Sequence, residues 1–196
     1  MKVTLASANP HKARELRVLL PGWDVAPLAV AEMPEETGAT FYENARAKAR
    51  FGRTLAARDA WVLGEDSGIE VAGLHGRPGI RSARYAGPRA TDEENVERLL
   101  AELAGVPAEA RRARYVCELV FLSPGLAEFR GSGTLAGRIA PEPRGSAGFG
   151  YDPVFVPDGE DGTVAQLGDE WKARSSHRAR AAAALRQAVG SAAEEE

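Results

Sequence analysis

Cysteine is nearly missing from this 196-residue chain. Cys117 stands alone, which excludes an internal disulfide and a cysteine-based zinc cluster. Its place in the apolar run 115–122 predicts a buried small hydrophobe. No apolar run approaches the ~20 residues that a membrane helix needs. Residues 1–5, MKVTL, lead straight into a strand pattern without the layout of a signal peptide. The expected compartment is therefore the cytoplasm, with no membrane partner. An excess of positive charge is lacking too. A net charge of −3 argues against a nucleic-acid polymer as ligand, because phosphate-backbone binding wants a basic footprint. A small anion needs only a local cationic pocket and stays allowed. Internal repeats and long linkers are absent, so a single domain over 1–196 is expected. Lysine is scarce as well: of the 25 basic residues only Lys2, Lys12, Lys48 and Lys172 are lysines. A site that needs a compact ammonium resists exchange for a planar guanidinium fork, so these four positions mark where to look.

What is present centres on residues 61–85, WVLGEDSGIEVAGLHGRPGIRSARY. The apolar run 61–63 reads as a buried strand that ends in a polar segment, Gly64-Glu65-Asp66-Ser67-Gly68, before Ile69, Val71 and Leu74 resume. Two carboxylates between glycines at a strand end suit a metal or an activated water, and equally suit a plain polar turn. Neighbouring side chains point apart in extended chain, so Glu65 and Asp66 are expected to do different work.

Earlier in the chain, residues 2–6 read as a first strand and Asn9-Pro10 as an N-cap and first helical residue. The loop Ser7-Ala8-Asn9-Pro10-His11-Lys12 thus offers a helix N-terminus to an anion. Lys12 in a first turn opposes the helix dipole, an oddity that a bound phosphate would remove. Residues 23–30 read as a second strand and 32–36 as an acidic loop. Thr40 and Glu43 form a capping box opening a helix to about residue 58. Lys48 shares that helix's apolar face or its edge, four residues after Asn44. A second capping box, Thr91 to Glu94, opens another helix, and 113–122 with 127–135 read as an antiparallel hairpin. A glycine-rich loop, 145–153, leads into a strand at 154–156, and Phe149 between glycines could stack on a base. Residues 175–178 open an alanine-rich last helix whose 194–196 end is expected to fray.

Taken together, these pieces resemble the inosine triphosphate pyrophosphatase family, which clears deaminated purine nucleotides. The similarity rests on SANPHK, EETGATFYENARAKA at 35–49, EDSGIEV at 65–71, GRPGIRSARYAG at 76–87, RRARYVC, GFGYDP at 148–153 and SSHR at 175–178, all in order. The resemblance implies an α/β fold with an elongated mixed β-sheet flanked by helices, two lobes around a nucleotide cleft, and a homodimer. It implies cleavage of ITP, dITP or XTP between the α and β phosphates, with Mg2+ required. By the same resemblance Ser7, Ala8, Asn9, Pro10, His11 and Lys12 form the triphosphate loop and Lys48 is the helix lysine. Glu36, beside Glu35, and Asp66 would hold the metal. Asp66 would also be the general base, with Glu65 and Lys48 as further catalytic residues and Ser67 binding substrate. Base recognition would fall to Phe149, Gly150, Tyr151, Asp152, Lys172, His177 and Arg178. Two residues depart from the family's pattern: Glu65 stands where Asp is usual, and Ala179 where Gly is usual after His-Arg.

The residue types suit that chemistry. Cations neutralise charge on phosphate oxygens while a carboxylate activates water. A donor aimed at the 6-oxo group of hypoxanthine or xanthine would face another donor in adenine, and a polar site rejects such a mismatch strongly. Two alternatives stay open at this level. One is a related pyrophosphatase for pyrimidine or modified nucleotides; the other is a module that binds a triphosphate without cleaving it.

Overall fold

The computed structural model describes residues 1–30 and 33–194, with side chains through residue 192. Glu32 of the acidic loop and the terminal Glu195 and Glu196 lie outside the described residues. In chain order the elements are β1 (Lys2–Ala6), α1 (Pro10–Leu19), β2 (Asp24–Pro27), α2 (Phe41–Leu55), β3 (Trp61–Val71), α3 (Asp92–Glu102), β4 (Arg112–Leu122), β5 (Glu128–Ile139), β6 (Phe155–Pro157), α4 (Val164–Ser175) and α5 (His177–Glu194). The strands form one mixed six-stranded sheet, ordered β2-β1-β3-β4-β5-β6. β1 runs parallel to β2 and to β3, with Leu5 opposite both Pro27 and Leu63, whereas β6 runs antiparallel to β5. The fold is α/β.

Local chemistry starts the helices. The Asn9 side chain accepts from the His11 and Lys12 amides at 2.9 and 3.3 Å, and Pro10 takes the first helical position. Thr40 with Glu43 and Thr91 with Glu94 close capping boxes on α2 and α3, where each N-cap contributes about 1 kcal/mol. A third box, Thr163 with Gln166, opens α4. The sequence reading contains no helix there, although Thr163-x-x-Gln166 is the local signature of one. Gly168, at φ +80, interrupts the helical backbone and with it the apolar period that would reveal the helix.

Two compact units divide the chain. The first comprises residues 1–66, 117–133 and the chain from His177 onward; the second comprises 67–116 and 134–176. In the first, Val3, Leu5, Leu16, Leu63, Leu119 and Leu185 build the core, and the Phe121 ring lies 4.7 Å from Trp23 and 4.8 Å from Trp61. The second gathers Ile69, Val71, Val96, Leu99, Leu103 and Phe155 around Tyr115 and Tyr151.

Several boundaries differ from the sequence reading, among them the end of β5, at Ile139 rather than 135, and the start of α5, at His177 rather than 175. β2 spans Asp24–Pro27 rather than 23–30, and α2 stops at Leu55 rather than near 58. More important, β3 does not turn at Gly64-Glu65-Asp66-Ser67-Gly68; it runs through that segment to Val71. A polar run stays in a buried strand when its charges find partners on either side, and both carboxylates do so here.

Candidate active site

Close packing of α2 on β3 builds the first part of the site. A Cβ on Gly64 would lie 2.0 Å from the Ala45 carbonyl oxygen and 2.6 Å from the Ala49 amide nitrogen, so only glycine lets the helix approach this far. Asn44 and Lys48, one helical turn apart, are thereby brought to Asp66. The Asn44 amide donates to Asp66 Oδ2 at 3.2 Å and the Lys48 ammonium to Asp66 Oδ1 at 2.8 Å. Lys48 also donates to the Glu65 carbonyl at 3.2 Å and meets Glu36 Oε1 at 2.5 Å. The Asn44 carbonyl accepts from the Gly38 amide at 2.9 Å, tying the segment that carries Glu36 to the same helix. Asn44 is 1% exposed. Its spacing of one turn from a scarce lysine was the signal available.

On its other side β3 presents Glu65, which is fully buried. Its Oε2 pairs with Lys12 Nζ at 2.6 Å and its Oε1 with Arg178 Nη2 at 3.0 Å. Arg178 reaches Glu15 with its other terminal nitrogen, and the Cys117 thiol lies 3.7 Å from Glu65 Oε1. α5 delivers Arg178 because it rests on β5 as α2 rests on β3; a Cβ on Gly133 would meet the His177 carbonyl oxygen at 2.1 Å. Glu65 thus removes the dipole oddity of Lys12 without any bound anion. The loop before α1 is also more self-satisfied than the sequence implies. Ser7 Oγ accepts from the Asn9 amide, and the His11 and Lys12 amides are held by the Asn9 cap. Ser7 is buried, Lys12 and Asn9 half-buried, and Ala8, Pro10 and His11 exposed.

The two adjacent carboxylates are driven in opposite directions. Burial opposes charge on Glu65, yet Lys12, Arg178 and Lys48 overcome it and hold the carboxyl well below the usual range. Burial, with the Glu36 carboxylate, raises Asp66 above the ordinary aspartate value despite Lys48 and Lys12. Lys48 is raised: burial works against its charge, and Asp66, Glu36 and Glu65 outweigh it.

Glu36 and Asp66 converge on one point of positive charge, the Lys48 ammonium. Two hard oxygen donors fit magnesium, which takes one or two protein carboxylates and completes its shell with water and phosphate oxygens. Among the described residues no cluster of three or more acidic, histidine or cysteine side chains is poised for a metal.

In the second unit, Asp152 organises the glycine-rich loop. Its carboxylate accepts from Lys172 at 2.6 Å, from the Phe149 amide at 2.9 Å and from the Tyr115 hydroxyl at 3.2 Å. The Lys172 ammonium sits 4.2 Å from the Phe149 ring centroid, a contact that fixes the aromatic face. The Gly150 amide donates to Asp92 at 2.7 Å. The Tyr151 side chain is buried in the core and its hydroxyl donates to the Ser82 carbonyl at 2.8 Å. Ser67 is half-buried on β3, and His177, at the start of α5 in the first unit, is buried. Each unit therefore collects its own set: Lys12, Glu36, Lys48, Glu65, Asp66 and Arg178 in the first, Phe149, Asp152 and Lys172 in the second.

Comparison with known proteins gives these constellations a context. The family model described as the Ham1 family matches residues 3–188. The dITP/XTP pyrophosphatase of Opitutus terrae is 50% identical, covering 94% of this chain and 97% of its own. That of Bacillus subtilis is 43% identical over 89% of this chain and 90% of its own. Among solved structures, the Ham1 protein of Staphylococcus aureus aligns with a TM-score of 0.85 at 37% identity, covering 98% of this chain and all of the other. Sequence and fold agree over nearly the whole length, and the chain belongs to the Ham1 family.

Proposed function

We propose that this protein is a nucleoside-triphosphate pyrophosphatase that hydrolyses ITP, dITP and XTP to the monophosphate and pyrophosphate. Its relatives named dITP/XTP pyrophosphatase support the activity. The observation that carries the chemistry is Asp66, a buried carboxylate raised in pKa and gripped on both oxygens by Asn44 and Lys48. A general base works best when its pKa lies nearer the working pH, and fixed orientation keeps it aimed. Asp66 accepts the proton of the attacking water. Lys12 and Lys48 supply compact positive charge to the phosphate oxygens, and the Ser7–Lys12 loop lies along the triphosphate. Glu65, expected from the sequence to be catalytic, is fully buried and is read here as positioning Lys12 and Arg178. Glu36 and Asp66 would hold Mg2+, which when bound would neutralise charge developing on the phosphates. Phe149, held by Lys172 and Asp152, offers its ring to the base, and Lys172, His177 and Arg178 are the candidates for reading the 6-oxo group. The enzyme is read as one functional domain, a homodimer and cytoplasmic, in keeping with the resemblance and with the lack, among the described residues, of a helix long and apolar enough to cross a membrane.

The test is product analysis with ITP, XTP, GTP, ATP and dTTP, each with and without magnesium. Monophosphate plus pyrophosphate from ITP and XTP, and only with metal, is expected. Orthophosphate release or preferential cleavage of dTTP would replace this assignment with another enzyme class, and tight binding without product would make the protein a nucleotide-binding module.

A further inference from the structure

A cavity of about 520 Å³ opens in the second unit, lined by none of the residues assigned above to substrate or metal. Its wall carries Arg111, Arg138, Arg144 and Glu142 around an apolar floor that includes Val106 and Val156. Three arginines and one glutamate thus share the lining. Arg111 is half-buried and held by main chain alone: it donates to the carbonyls of Leu103 at 3.0 Å, Ile139 at 2.9 Å and Ala140 at 2.8 Å. No carboxylate among the described residues pairs with it, and burial pushes its pKa down. Arg144 keeps a buried Nε without a hydrogen-bond partner, while its backbone is pinned by its amide to the Pro153 carbonyl and by the Thr163 hydroxyl to its own carbonyl. Asp158, which also attracts Arg138, is engaged by Arg112 in a two-pronged pair at 2.7 and 2.8 Å. Guanidinium groups in excess over carboxylates, two of them prepositioned, around a pocket of ligand size are what a dianion requires.

We propose that this pocket is a second ligand site, one that binds a small phosphate-bearing anion through Arg111, Arg138 and Arg144. Arg111 and Arg144 are held in place before any ligand arrives, so little ordering entropy is lost on binding. The apolar floor offers room for a non-phosphate portion. The recognised chemistry is the phosphate dianion, whether free, as pyrophosphate, or on a nucleoside monophosphate. The assignment stands independently of the catalytic one.

The experiment is calorimetric titration of the full chain, without metal, at low ionic strength, with pyrophosphate and separately with inosine monophosphate. It is run on the wild type, on Lys12→Ala, and on Lys12→Ala carrying Arg138→Glu or Arg144→Gln. Lys12→Ala weakens phosphate contact in the first unit, and the added Arg138→Glu or Arg144→Gln then reports how much of the remaining binding belongs to this pocket. Removing a charged partner should weaken that remaining binding about tenfold or more in each double variant, and raised salt should weaken it further. Arg138 is exposed, so Arg138→Glu keeps the fold. Tighter binding of the monophosphate than of pyrophosphate would assign the apolar floor to the nucleoside; equal binding would assign recognition to phosphate alone. If Lys12→Ala abolishes all binding, or if Arg138→Glu and Arg144→Gln both leave the remaining affinity unchanged, the pocket is not an anion site.

Discussion

Glu65 and Asp66 are neighbours on one strand and share almost nothing else. Glu65 is surrounded by cations and stays ionised; Asp66 is held between a lysine, an amide and a second carboxylate, and its proton is easier to keep. Asp66→Asn should therefore lower turnover by about 100-fold to 10,000-fold, the usual worth of a general base, with nucleotide binding retained in titration of the inactive enzyme. Turnover near wild type would remove Asp66 from that role. Asn44 acts one step back, orienting Asp66 and anchoring the Gly38 amide. Loss of such a buried hydrogen bond is worth about 1–3 kcal/mol. Asn44→Ala should then cut kcat roughly tenfold or more with KM little changed; a rise in KM alone would place its effect on binding instead.

At the scale of elements, two helices are docked onto the sheet through glycine. α2 can press on β3 only because Gly64 has no side chain, and that contact sets the reach of Lys48. Gly64→Ala has to push α2 away, since the atoms met are helix backbone. Overpacking of this kind costs about 3 kcal/mol or more, and urea unfolding should show it together with loss of activity. Thr40→Ala, which breaks the cap of the same helix, should cost only about 1 kcal/mol. Equal effects from the two substitutions would show that the close approach is unimportant.

At the scale of the molecule, the buried ion network makes stability depend on acid. Glu65 is ordinary in the unfolded chain, at a value of 4.5, and well below that when folded. The unfolded state therefore binds the proton first, and the stability Glu65 contributes is present above pH ~4.5 and lost progressively as pH falls below it. Urea midpoints measured from pH 7 to pH 3 should drop along this limb. Glu65→Gln should flatten the limb and should be less stable at pH 7, because Arg178 and Lys12 lose their shared partner. Parallel curves for the two proteins would mean that other carboxylates govern the acid response.

The sequence by itself determined a good deal. Capping boxes at Thr40 and Thr91, the Asn9-Pro10 helix start and the hairpin around Ser123 are local devices, and local devices can be read without a fold. The scarcity of lysine also singled out Lys12, Lys48 and Lys172, each of which grips a carboxylate. The tertiary structure alone decided the rest. A polar GEDSG segment reads as a turn until cations from α1, α2 and α5 reach it; with them it stays in β3. That Glu65 and Asp66 do different work follows from extended chain; which task each takes was decided only when helices distant in sequence closed on opposite sides of the strand. Gly64 gave no sign of being the contact that brings α2 in. The partners that set charge, burial and orientation lie as far apart as residues 65 and 178, and local pattern carries no information about that distance.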